Sequence, residues 1–143
     1  MEVDANMMSN PKYDWLLAQV TSGYTTVLGK EDEALWNSGK FGVNINQDLS
    51  MIKSLIIGEQ LEQVDDPVAY LKDVKVKYPS AEIHITVPNE HSWNPEYKPF
   101  TNPKHKRHYD CDNLIKDLEE AGLKYKIECL DYNGWAFWVV RAK

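Results

Sequence analysis

The run Leu55-Ile56-Ile57-Gly58 constrains this chain more than any other stretch. Four consecutive residues without a polar side chain leave a strand no solvent-facing side, so the segment predicts a strand buried on both faces, as in the middle of a parallel sheet. Parallel strands need crossovers, usually helical. Asp65-Asp66-Pro67 supplies the start of one: an acidic cap, proline at the first helical position, then Val68, Leu71 and Val74 along one face until Pro79 ends it. Ala81 to Val87 (AEIHITV) predicts the next strand.

The same alternation extends in both directions. Asn10 caps a helix that opens with Pro11 and carries Tyr13, Leu16, Leu17 and Val20 at helical spacing until Ser22-Gly23. Tyr24 to Gly29 and Phe41 to Ile45 read as strands. Pro88-Asn89 opens a polar and aromatic loop running to Tyr109, a length that is usually functional. Asp110 or Asp112 caps a helix with Leu114, Ile115, Leu118 and Ala121 as its apolar stripe and Gly122 as its stop. Tyr125 to Tyr132 and Trp135 to Arg141 flank Asn133-Gly134, a strong hairpin signal. The fold class expected is α/β: an open three-layer, mostly parallel sheet closing in an antiparallel C-terminal hairpin. Residues 1–9 are expected to be a disordered leader and 10–143 one domain.

Composition narrows the partners. With 16 Lys and Arg against 22 Asp and Glu, the formal charge is −6, which disfavours a surface built to coat phosphates, so no nucleic acid is expected. The 43% hydrophobic and 27% charged content is that of a folded chain. No apolar run approaches the roughly 18 residues of a membrane helix, so no membrane partner is expected. Met1-Glu2-Val3-Asp4 lacks the basic and apolar layout of a signal peptide, and Cys111 and Cys129 form no CxxC motif; a cytoplasmic protein with reduced thiols is the expectation.

From Ser54 onward the order of motifs resembles the class I S-adenosylmethionine-dependent methyltransferases, particularly the small type 11/12 methyltransferase-domain group. Leu55 to Pro67 resembles that family's fourth strand and its E-x-L-E-H-x-x-D-P segment, with Gln63 where His is usual. Ile85-Thr86-Val87-Pro88-Asn89 resembles the end of the fifth strand, and His105 to Tyr109 followed by Leu114 to Gly122 resembles the H-x-R-x-Y…L…L-x-x-A-G stretch. The resemblance implies a Rossmann-like methyltransferase fold, S-adenosylmethionine as cofactor, and a ligand crevice at the carboxyl ends of the strands.

The N-terminal half departs from that family. Where the family has an acidic residue and a glycine-rich turn, this chain has Val27-Leu28-Gly29-Lys30-Glu31-Asp32-Glu33: Gly29 replaces the acid, and Glu31 and Glu33 replace two glycines. Glycine suits that turn because it takes positive φ cheaply and leaves room for a ligand, so the two Glu are expected to weaken cofactor binding. Eleven residues from Lys30 to Lys40 and nine from Asn46 to Ser54 are short for the family's helices and third strand, which implies deletion of those elements. Asn44 lies where the family often places the Asp that binds the ribose hydroxyls, and loses its charge-assisted contact.

The candidate site residues implied by the resemblance are therefore Gly29, Asn44 and Glu59 for the cofactor, with His91 facing the methyl acceptor as a general base. For His91 the plain structural alternative is a solvated loop histidine; for Glu59 and Glu62 it is acidity favourable to a helix start. His91, His105, His108 and Cys111 carry no recognised zinc spacing, and no metal is expected. Lys104 to His108 reads as a solvated basic surface. Trp36, Phe41, Trp135, Phe137 and Trp138 either fill the core or anchor a second copy or another protein over a sheet face left uncovered by the shortened N-terminal half. The reading that follows is a degenerate methyltransferase-like protein acting by binding a partner; the alternative is an active small methyltransferase.

Overall fold

The computed structural model describes residues 11–20, 24–28, 48–89, 106–132 and 135–143. Within them, five strands form one mixed sheet and three helices pack on it: α1 (Pro11–Ala18), β1 (Thr25–Leu28), β2 (Ser54–Gly58), α2 (Pro67–Lys77), β3 (Glu82–Pro88), α3 (Cys111–Glu120), β4 (Tyr125–Tyr132) and β5 (Trp135–Ala142). The strand order is β1-β2-β3-β5-β4. β1, β2 and β3 run parallel, and β5 inserts antiparallel between β3 and β4. The expected architecture is present.

The central strand behaves as its apolar run requires: all five residues of β2 are buried. Its register on β3 pairs Leu55 with Ile83 and Ile57 with Ile85 on one face, and Ile56 with His84 on the other. The first face forms the main core, where Leu55, Ile57, Ile83, Ile85 and Val140 meet Leu71 and Val74 of α2 and Leu114 and Leu118 of α3. The second face carries Leu16 of α1 against Val27 and Ile56. Ser54 Oγ ties the start of β2 to the end of α1 by donating to the carbonyl of Gln19 at 2.8 Å.

The helix ends follow their caps. Asp66 accepts the amide of Ala69 at 3.0 Å and Pro67 opens α2, while Asp110, not Asp112, caps α3 by accepting the amide of Asn113 at 2.7 Å. At the far end of α3, Gly122 takes φ 77°, and Leu123 N–H returns to the carbonyl of Leu118 at 3.1 Å, a left-handed stop that glycine makes cheap. α1 is shorter than its periodicity suggests, ending at Ala18, after which Gln19 and Val20 make tighter turn bonds. Glu59 and Glu62 do not open a helix; they lie in the turn between β2 and α2.

Both faces of the central strands are closed within the chain. Ile56, Thr86 and Val139 on the α1 side are at most 1% exposed, and the large exposed hydrophobics among the described residues are Tyr24, Leu49, Met51 and Val76, none of them in a strand. Phe137 is buried and Trp138 half-buried within the chain. Trp36, Phe41 and the strand expected at Phe41–Ile45 lie outside the described residues, as does Asn133-Gly134.

Candidate functional site

β2 and β3 deliver their last residues to one edge of the sheet. Gly58 stands beside Thr86, and the pairing continues one residue further, with Glu59 N–H donating to the Thr86 carbonyl at 2.9 Å. Glu59 then takes φ 56°, the one non-glycine residue with positive φ among those described. An L-residue with a Cβ enters the left-handed region at a cost of about 1–2 kcal/mol, so the surrounding contacts must hold it there. Two do: Gln63 Nε2 donates to the Glu59 carbonyl at 2.7 Å, and Lys12 Nζ of α1 reaches Glu59 Oε1 at 2.7 Å. The Lys12 and Glu59 side chains are 10% and 20% exposed, so water screens this pair less than a surface one. Lys12 also sits 4.4 Å from the centre of the Phe137 ring.

Glu62 is the second unusual group. It is 1% exposed, and its Oε2 finds no hydrogen-bond partner among the described residues. Oε1 receives only a long contact from Gln63 at 3.4 Å. Burial, reinforced by the neighbouring Glu59 charge, pushes the Glu62 carboxyl up to about 8; Lys12 and the local hydrogen bonds offset only part of this. At neutral pH Glu62 is therefore mostly a protonated acid beside the Glu59–Lys12 pair, an arrangement that spares the turn a further buried negative charge.

The turn is fastened from the C-terminal side. Lys106 N–H donates to the Glu62 carbonyl at 2.7 Å, and its ammonium pairs with Asp65. Arg107 spends its guanidinium on backbone, reaching the carbonyls of Leu61, Val64 and Asp65. The basic segment expected to be a solvated surface is thus partly a clamp on residues 61–65. Tyr109 follows it into the core and donates to Asp117 Oδ2 at 2.6 Å. At the end of β3, Asn89 is buried, its amide N–H bonded to the Ala136 carbonyl at 2.8 Å and its Nδ2 lying 3.5 Å from Cys129 Sγ.

Of the expected site residues, Glu59 stands at the strand ends. Gly29, Asn44 and His91 lie outside the described residues, as do Glu31, Glu33 and His105. Among the described residues no group of three His, Cys, Asp or Glu is placed to hold a metal ion. No helix among them is long and apolar enough to cross a membrane. Lys12 and Gln63 had no sequence signal: Lys12 is 47 residues from its partner, and Gln63 stood out only as a departure from a motif.

Comparison with solved structures bears on this geometry. The chain superposes on a SAM dependent methyltransferase from Aquifex aeolicus with a TM-score of 0.57 and 13% identity, over 97% of this chain and 93% of that one. A SAM dependent methyltransferase from Archaeoglobus fulgidus matches with a TM-score of 0.50 and 18% identity, over 83% of this chain and 75% of that one. The fold is methyltransferase-like. Neither a protein-family model nor a curated protein matches the sequence. The Glu59 turn is thus at the carboxyl ends of parallel strands in a methyltransferase-like sheet, the position where open α/β folds bind ligands. The Aquifex protein is matched nearly end to end, so little of either chain lies outside the superposition.

Proposed function

We propose that this chain is a small S-adenosylmethionine-dependent methyltransferase whose ligand crevice is built around the Glu59 turn. The end of β2 carries this reading. A fold kept only as a scaffold gains nothing from a glutamate at φ 56° next to a buried acid with an unpaired oxygen, and each such feature lowers stability by roughly 1–3 kcal/mol. Features of that kind concentrate at functional sites.

The charges at the turn suit a zwitterionic ligand end: the Glu59 carboxylate matches a ligand ammonium and the Lys12 ammonium a ligand carboxylate, each taking over part of the pairing now made at 2.7 Å. S-Adenosylmethionine supplies an electrophilic methyl on a sulfonium. Asn44 would bind ribose hydroxyls through its amide, and Gly29 would leave room beside the first strand. Methyl transfer depends mainly on aligning nucleophile and methyl, which the Gln63, Lys106 and Arg107 bonds to the turn backbone support by holding Glu59 and Glu62 in place. His91 would take the acceptor's proton, and Glu62 stays neutral so that the crevice bears one carboxylate charge.

A second reading is favoured by a different observation, the replacement of two family glycines by Glu31 and Glu33. In it the chain is a degenerate methyltransferase-like protein that acts by binding another protein or a second copy. Calorimetry with S-adenosylmethionine and S-adenosylhomocysteine separates the two. Saturable micromolar binding, weakened in Glu59→Gln, supports the enzyme; silence at millimolar ligand replaces it with the binding role.

A further inference from the structure

The opposite end of the sheet carries the opposite sign. Lys124 and Lys143 close the β4–β5 ladder through reciprocal backbone bonds, Lys124 N–H to the Lys143 carbonyl at 3.0 Å and Lys143 N–H to the Lys124 carbonyl at 2.9 Å. Two residues further in, Lys126 stands opposite Arg141. Residues two apart along a strand share a face, so these four side chains make a two-by-two grid of cations on one surface. Like charges directly opposite in a sheet destabilise it, and here two such pairs are stacked in a chain whose net charge is −6.

Acidic neighbours offset the grid only in part. All four cations are exposed, and none is in an ion pair among the described residues. Glu82, at the start of β3, lines the groove with them, so one carboxylate there faces four cations. Glu128 is the next residue on that face of β4 and stands opposite Val139. The four cations, with Glu82 and Tyr125 beside them, line a groove of about 250 Å³. We infer that this groove binds the phosphate or diphosphate group of a small molecule, independently of the crevice at Glu59. Arg141 offers a planar fork to two oxygens and the lysines offer point charges around it. The volume suits one or two phosphoryl groups, and a long polyanion leaving the groove would run onto a surface that is net acidic.

Inorganic pyrophosphate and an oligonucleotide lacking terminal phosphates, titrated into the full chain at low salt, test this. Pyrophosphate should bind saturably at one site, with amide shifts confined to residues 124–126 and 141–143. The exposed double substitution Lys126→Ala/Arg141→Ala should weaken binding about tenfold or more, while Lys77→Ala, whose partner is Asp73 on α2, leaves it unchanged. A circular dichroism melt like that of the parent chain establishes that the double variant is folded. Absence of saturation, equal affinity in the double variant, or tighter binding of the oligonucleotide than of pyrophosphate would each overturn the assignment. Affinity for S-adenosylmethionine plays no part in the readout, so either proposal can fail alone.

Discussion

Lys12 Nζ lies 2.7 Å from Glu59 Oε1, joining α1 to the end of β2 across 47 residues of sequence. Exposed ion pairs contribute about 0–1 kcal/mol, because water screens them and two long side chains must be fixed. This pair differs in being mostly buried and in holding a residue at positive φ. Removing either partner leaves the other charge poorly solvated, so the two losses should overlap.

A double-mutant cycle measures that overlap. Lys12→Ala and Glu59→Ala should each destabilise by about 2 kcal/mol, and the double variant should recover a coupling of about 1–2 kcal/mol. Urea unfolding of the four proteins is the measurement. Strict additivity would mean that the pair holds nothing, and that Lys12 matters only through its packing on Phe137.

The backbone strain at Glu59 can be isolated from its charge. Glu59→Gly and Glu59→Ala both remove the carboxylate, but only glycine takes φ 56° without a Cβ penalty. The glycine variant should therefore be the more stable of the two by about 1 kcal/mol, reversing the usual order in which alanine is preferred. Both should bind S-adenosylmethionine more weakly than the parent chain. Equal stabilities would indicate that the turn relaxes out of the left-handed region once Lys12 has no partner.

Glu62 sets the stability of the alkaline side. Its carboxyl is held up to about 8 in the fold against 4.5 as its ordinary value, so between those values the folded state keeps a proton that the unfolded state has lost. The contribution of Glu62 to stability therefore falls as pH rises from 4.5 to about 8 and is lowest above it. Glu62→Gln cannot ionise and should be more stable than the parent by roughly 4–5 kcal/mol at pH 9, with little difference at pH 4. Denaturation midpoints across that range decide it; a difference independent of pH would mean that Glu62 is already ionised at neutral pH.

The alternation of strands and helices was legible because each signal is local. Leu55 to Gly58 has no polar face to expose, Asp66-Pro67 caps and starts a helix by chemistry within three residues, and Gly122 stops one through its own φ. Glu59 as a strand-end residue was legible too, though only through the resemblance. What could not be read was everything that depends on distant chain meeting at the turn. Lys12 looked like a polar residue on a terminal helix, and Arg107 like part of a basic surface, because nothing in the spacing says that their charges are used on residues about 45 positions away. The burial of Glu62 was likewise hidden: an acid five residues before a helix normally faces water, and the turn that holds it is fastened by Lys106 and Arg107 from more than 40 residues away.

His84 governs the acid side with the opposite sign. It lies 3% exposed beneath α1, edge-on to Trp15 with ring centres 5.9 Å apart, and its Nδ1 has no partner among the described residues. Burial lowers it to about 4 from 6.5, with Arg141 adding to the fall and Glu82 opposing it. The 3.6 Å contact to Glu82 is therefore not an ion pair at neutral pH. Between 6.5 and 4 the unfolded chain takes up a proton at His84 that the folded chain refuses, so the contribution of His84 to stability is lost as pH drops through that window, against the rise from Glu62. His84→Leu removes both the titration and the orphaned nitrogen while keeping an apolar contact to Trp15. Relative to the parent, the variant should gain stability progressively between pH 6.5 and 4, by about 2 kcal/mol near pH 4 and less at pH 7.5. Because α1 also carries Lys12, the parent chain should loosen at Glu59 over the same window, seen as weaker S-adenosylmethionine binding below pH 6 that His84→Leu restores. A parent acid limb identical to that of His84→Leu would show that protons enter elsewhere in the fold.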